Sequence, residues 1–177
     1  MKILIDPQTI NRRISQLGRQ ITADYAGRDL VIVGVLKGSV IFLADLTRQI
    51  EIPHELGFVH ASSYRGESTT SGSLTLSIEA LPPVAGRDVL LLDDIFDTGR
   101  TLAGLLTAIA AHQPRSIKTG TLLWKQGRAL VQFAPDYHGF QIPDEFVVGY
   151  GLDYNDRFRH LPYIGIWEAG TLEATSA

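Results

Sequence analysis

Two kinds of apolar spacing alternate along the chain. The continuous runs Leu30-Val31-Ile32-Val33-Gly34-Val35-Leu36 and Val89-Leu90-Leu91-Leu92 leave no polar face, which predicts strands buried on both sides of a sheet. Elsewhere apolar residues recur at steps of three and four. Ile10, Ile14, Leu17 and Ile21 predict an amphipathic helix, with Asp6 as its N-cap and Pro7 as its first residue. A second helix is expected from about Ser39 to Ile50, and a third from Thr101 to His112, stopped by Pro114. Further strands are read at Glu55 to Ser63, Leu74 to Ile78, Ile117 to Leu123, Phe146 to Gly149 and Tyr163 to Ile166, with a short helix near Ala129 to Phe133. Strands alternating with helices predict an α/β fold built on an open, mainly parallel twisted sheet, with ligands at the carboxyl ends of its strands.

The stretch from Tyr64 to Ser73 carries Arg, Glu, Ser, Thr and Gly and cannot contribute to a core, so a mobile hairpin over about 64–73 is expected. A loose tail is expected over about 170–177. No internal repeat divides the chain. Its 177 residues are expected to form one domain, 1–177. Sixteen Lys and Arg against nineteen Asp and Glu give a net charge of -3, which disfavours general binding to nucleic acid or to a membrane surface. The absence of Cys removes disulfides, zinc thiolates and thiol nucleophiles, and suits a cytoplasmic location. No signal peptide and no apolar run long enough to cross a bilayer is expected.

The chemistry concentrates in Asp93-Asp94-Ile95-Phe96-Asp97-Thr98-Gly99-Arg100-Thr101, directly after the second buried run. Two adjacent carboxylates at a strand's mouth repel each other unless a cation or hydroxyl donors offset them. From Asp97 to Thr101 the chain turns into a helix, so backbone N–H groups and two threonine hydroxyls converge at a positive dipole end and form a phosphate cradle. Phosphate binding beside acids points to a ligand bearing both phosphate and hydroxyl groups, such as a sugar phosphate. Taken alone, Asp97 reads equally as a helix cap, Lys37 as a solvated strand-end lysine, Arg159 as a surface charge and Phe146 as a core residue. The five histidines lack metal-ligand spacing.

The segment Leu92 to Leu102 resembles the phosphoribosyl-pyrophosphate (PRPP) signature of type I phosphoribosyltransferases. The segments 34–39, 62–64, 142–154 and 159–165 narrow the resemblance to the hypoxanthine-guanine members, over about residues 5–168. The resemblance implies the type I fold with a small base-binding hood. It also implies transfer of 5-phosphoribosyl from PRPP to N9 of hypoxanthine or guanine, giving IMP or GMP and pyrophosphate in purine salvage. By similarity, Asp93 and Asp94 hold the ribose hydroxyls, partly through Mg²⁺. Asp97, Thr98, Gly99, Arg100 and Thr101 wrap the 5′-phosphate, and Asp97 is the catalytic acceptor at purine N7. Lys37, Gly38 and Arg159 contact pyrophosphate, and the Leu36-Lys37 peptide is a candidate for a cis bond.

On the same resemblance, Lys125 hydrogen-bonds the 6-oxo group, Phe146 stacks on the purine, and backbone groups near Val147 and Asp153 read its other edge. Asp153 is implied as a second Mg²⁺ ligand, so the implied metal residues are Asp93, Asp94 and Asp153. Ser63 and Tyr64 match a mobile loop that closes over the reaction. The partners implied are PRPP, hypoxanthine and guanine, in a homodimer or homotetramer. Position 93 is Asp where the family often has Glu, and Lys125-Gln126-Gly127-Arg128-Ala129 lacks the proline and further basic residue common just after the lysine. The alternatives are a relative preferring xanthine and guanine, or a PRPP-sensing regulatory protein that binds nucleic acid.

Overall fold

A computed structural model of the chain describes residues 1–63 and 74–168. The expected hairpin over 64–73, Tyr64 included, and the expected tail over 170–177 lie outside the described residues. The elements are β1 (Lys2–Ile5), α1 (Pro7–Asp24), β2 (Leu30–Leu36), α2 (Val40–Thr47), β3 (His54–Ser63), β4 (Leu74–Ser77), β5 (Asp88–Phe96), α3 (Arg100–Ala110), β6 (Ser116–Lys125), β7 (Tyr137–Ile142), β8 (Val147–Val148) and β9 (Ile164–Ile166). Among the described residues no helix is long and apolar enough to cross a membrane.

The main sheet has the order β4-β3-β2-β5-β6-β7. All its pairings are parallel except that of β3 with β4, which join as an antiparallel hairpin. The period of two along each strand divides the core. Leu30 and Ile32 of β2 and Leu90 and Leu92 of β5 pack with α1 and α2, while Val31, Val33, Val35, Val89 and Leu91 pack with Leu102, Leu105 and Ile109 of α3. The continuous apolar runs are thus central strands covered on both faces. Asp6 caps α1 as its sequence predicts, accepting a hydrogen bond of 2.9 Å from the Thr9 backbone.

Successive strands run to one side of β2 through β3 and to the other through β5, β6 and β7, so the order reverses between β2 and β5. These two pair only as far as Gly34 and Leu92. Beyond that point they part, and the crevice at their carboxyl ends is where an open α/β sheet binds ligands. A second antiparallel sheet, β1-β9-β8, stands over the same end as the hood.

The structure departs from the sequence expectation in four places. β5 continues through Asp93 and Asp94 to Phe96, because pairing with β6 persists from Asp93↔Thr121 to Phe96↔Trp124. Ala129 to Phe133 is not helical. Leu130 N–H instead donates to Thr98 O at 2.9 Å, and Phe133 packs edge-on against Phe96, so tertiary contacts win over local propensity. The strand expected from Phe146 to Gly149 shortens to β8. β1 and β7 were not anticipated, since one has four residues and the other interrupts its alternation with Gly139 and Gln141.

Asp88, at the start of β5, is fully buried. It accepts from Ser116 Oγ at 2.6 Å and lies 3.2 Å from both Arg28 and Arg115, tying three strand starts together. Asp88→Ala is expected to lower the unfolding free energy by about 2 kcal/mol. The fall should appear in the urea midpoint at constant m-value, with Asp88→Asn milder because it keeps an acceptor for Ser116; an unmoved midpoint would count against the network.

Candidate active site

The crevice forms a cleft of about 480 Å³. Its walls are residues 35–38 at the end of β2, residues 93–102 from the end of β5 into α3, Ala61 of β3, and Asp153 and Arg159 from the hood. Of the residues singled out from sequence, Lys37, Gly38, Asp93, Asp94, Asp97, Thr98, Gly99, Arg100, Thr101, Asp153 and Arg159 all line it. Lys125, Phe146 and Val147 lie outside that lining. Ser63 is the last residue of β3.

Asp93 is buried and Asp94 only partly exposed. Asp93 Oδ1 accepts the Asp94 backbone N–H at 2.9 Å. Burial pushes the Asp93 carboxyl well above the usual range, and the charge of Asp94 adds to the shift. Burial also raises Asp94, opposed by its hydrogen bonds and by the charge of Arg159. Protein groups alone thus only partly offset the cost of burying this acid pair.

Opposite that pair, the Leu36-Lys37 peptide is cis. Ser39 Oγ donates to Val35 O at 2.5 Å and closes the turn into α2. Gly38 is pressed onto the acids: a Cβ there would fall 1.7 Å from Asp94 Oδ2. No side chain fits at this close approach.

The floor of the cleft is the start of α3. Gly99 is its N-cap, with φ 79°, and no side chain caps the helix. Asp97 is therefore not a helix cap. The first-turn N–H groups face the cleft at the positive end of the dipole, and Gly99 cannot be replaced without a Cβ 2.4 Å from Val131 Cγ2. The irregular 129–133 segment thus buttresses this loop.

Asp97 and Lys125 are joined by a chain of charges that the sequence reading missed. Arg128 Nε lies 2.6 Å from Asp97 Oδ1, an ion pair that ties the carboxylate to the chain segment after β6. Arg128 Nη1 also donates to both oxygens of Asp144 at 2.9 Å, and Lys125 Nζ lies 3.4 Å from Asp144 Oδ1. The basic residue expected directly after Lys125 arrives instead at Arg128, beyond a turn at Gly127 with φ 86°. Asp144 was legible only as part of Ile142-Pro143-Asp144, with nothing to indicate its partners.

Phe146 is 44% exposed and is not a core residue. Its ring meets Tyr154 and Trp167 edge-on at 5.9 and 6.0 Å, while those two stack at 4.3 Å. That exposure leaves part of the ring accessible to a ligand. Arg159, in the hood, donates to Gly151 O at 2.8 Å and pairs with Asp153 and Asp156 at 2.8 and 2.9 Å. The cleft thus unites an acid pair, a helix N-terminus and the cations Lys37, Arg100 and Arg159, an arrangement suited to a hydroxylated, multiply phosphorylated ligand.

Comparison with known proteins agrees with this chemistry. The sequence profile described as "Phosphoribosyl transferase domain" matches residues 3–155. The hypoxanthine phosphoribosyltransferase of Salmonella typhimurium is 42% identical over 167 residues, covering 93% of this chain and 94% of that protein. The hypoxanthine-guanine phosphoribosyltransferase of Streptococcus pneumoniae is 42% identical over 165 residues, covering 93% and 92%. Among solved structures, a hypoxanthine phosphoribosyltransferase from Staphylococcus aureus superposes with a TM-score of 0.88 at 38% identity, covering 95% of this chain and 91% of that one.

Gly38→Ala is expected to destabilise the protein by about 1–3 kcal/mol through overpacking against Asp94. Urea unfolding measures this directly, and wild-type stability in the variant would mean that the acid pair yields freely.

Proposed function

We propose how this cleft works from one premise: the chain belongs to the phosphoribosyltransferase family, among the hypoxanthine(-guanine) phosphoribosyltransferases. The enzyme moves the 5-phosphoribosyl group of PRPP to N9 of hypoxanthine or guanine in purine salvage. The bond from ribose C1 to pyrophosphate breaks, a bond from C1 to N9 forms, and the proton on purine N7 leaves. The observation that carries the reading is the convergence of acid pair, the N-terminus of α3 and paired cations on the one crevice where the strand order reverses.

In this assignment the first-turn N–H groups of α3, with Thr98 and Thr101, hold the 5′-phosphate, and Asp93 and Asp94 receive the ribose hydroxyls. Lys37 and Arg159 face the pyrophosphate, and the tight turn at Gly38 brings backbone N–H groups to it. Asp97, held by its ion pair with Arg128, accepts the N7 proton as N9 attacks. Lys125 donates to the purine 6-oxo group, which disfavours adenine, whose 6-amino group is itself a donor. The accessible part of the Phe146 ring stacks on the purine, and backbone groups near Val147 and Asp153 read the far edge.

The donor set fits Mg²⁺. Asp93 and Asp94 supply hard carboxylate oxygens whose repulsion a divalent cation relieves, and Asp153 lies across the cleft. Asp93, Asp94 and Asp153 are the residues that would hold the ion, with phosphate and water oxygens able to supply the remaining ligands of a hard cation. When bound, Mg²⁺ neutralises the departing diphosphate. The reading also includes a homodimer or homotetramer, supported by the exposed apolar side chains Val40 and Ile41, and a cytoplasmic enzyme, which a chain without Cys suits.

An assay of the purified protein with PRPP, Mg²⁺ and each purine in turn tests this function. IMP and GMP should form and adenine should be inert; the xanthine arm tells a xanthine-guanine preference from a hypoxanthine-guanine one, and no product from any purine would refute the reading. Asp97→Asn is expected to lower kcat by about 10²–10⁴-fold with the KM for PRPP changed by less than about threefold. Parallel losses in both would remove its role at N7. Lys125→Ala should raise the purine KM at least about tenfold, and an unchanged purine KM would take it out of the base site.

A further inference from the structure

We propose that Asp156 sets how tightly the cleft holds a diphosphate, by pairing with Lys37 and Arg159, two of the cations that line it; the inference rests on the phosphoribosyl-transfer reading above. Asp156 Oδ1 lies 2.9 Å from Arg159 Nη2 and 3.5 Å from Lys37 Nζ. A single carboxylate oxygen therefore joins a lysine at the end of β2 to an arginine of the hood, 122 positions apart in the chain. Asp153 also meets Arg159 at 2.8 Å, but among the described ion pairs only Asp156 reaches both cations.

The two aspartates stand differently. The Asp153 side chain is 31% exposed and accepts the Asp156 backbone N–H at 2.8 Å. The Asp156 side chain is 71% exposed and sits on a left-handed backbone, φ 58°, so only the two cations hold its carboxylate in place. An entering diphosphate needs those same cations. It must displace the carboxylate or bind beside a like charge, and either course opposes binding.

Exposed ion pairs are weak, each worth up to roughly fivefold in an equilibrium constant. That strength suits a placeholder: it gathers Lys37 and Arg159 across the open cleft yet yields to a ligand of higher charge. A merely structural Asp156, needed to orient Arg159, would act with the opposite sign. Its loss would then weaken the diphosphate.

The test is isothermal titration of inorganic pyrophosphate with Mg²⁺ at pH 7.5 into the wild-type protein and Asp156→Asn. Asn keeps the side-chain size and tolerates the left-handed backbone. The variant is expected to bind pyrophosphate about three- to tenfold more tightly, with the KM for hypoxanthine within about twofold of wild type. Asp156→Ser, also uncharged, should move the same way. Equal or weaker binding in both variants, with wild type binding pyrophosphate and turning over PRPP, overturns the placeholder role and leaves the enzymatic reading standing. Wild type that neither binds pyrophosphate nor forms nucleotide overturns both.

Discussion

The structure is organised around two carboxylates at the end of a buried strand. Asp93 and Asp94 lie near the end of β5, where desolvation opposes both charges and the charge of Asp94 further opposes that of Asp93. The surroundings respond to that strain. β2 parts from β5 after Leu92, Gly38 lies against Asp94 with no room for a side chain, and the hood brings Arg159 near enough to lower the cost at Asp94. On the proposed function, the charge that remains uncompensated is what a cation and a hydroxylated ligand would satisfy, so the cost of burying the pair would return as affinity for one kind of ligand.

The charges around the acids are already arranged in pairs before any ligand arrives. Arg128 stands between Asp97 and Asp144, Asp144 reaches Lys125, and Asp156 holds Lys37 and Arg159. The base side and the diphosphate side are each closed by an exchangeable ion pair. The start of α3 differs: its N-cap Gly99 offers no side chain and only Thr98 Oγ1, 3.5 Å from the Arg100 N–H, approaches the first turn, whereas α1, remote from the cleft, is capped by Asp6. A preformed seat for the invariant phosphate and exchangeable pairs for the reacting groups is a consistent division of labour.

Much of this was legible in the sequence because it rests on local or periodic signals. The seven apolar residues of β2 could only be a two-sided buried strand, Asp6-Pro7 announced α1, and the acid pair followed by Asp97 to Thr101 announced a phosphate loop. The parts that escaped depend on contacts between distant residues. Ala129 to Phe133 carries helix-forming residues, yet Leu130 bonds to Thr98 and Phe133 packs on Phe96. Phe146 sits among apolar neighbours in sequence but its ring lies open beside Tyr154 and Trp167. Asp144 and Asp156 look like ordinary surface acids until the fold sets cations against them. The second sheet is built from pieces of two to four residues whose pairing spans nearly the whole chain, and no local pattern encodes such a join.

The claim that the acid pair is a strained, ligand-awaiting element is tested most directly by the unfolding free energy of wild type and Asp93→Asn between pH 4.5 and 8, with and without PRPP and Mg²⁺. Burial raises the folded-state affinity of Asp93 for a proton, so wild-type stability is favoured at low pH and eroded as pH rises through the raised value. The neutral Asn escapes that erosion while keeping an acceptor for the Asp94 N–H. Without ligand, the variant should therefore be the more stable, by a margin that grows with pH; with PRPP and Mg²⁺, wild type should gain the more. Parallel pH curves without ligand, or a larger ligand-induced gain in the variant, would contradict the account.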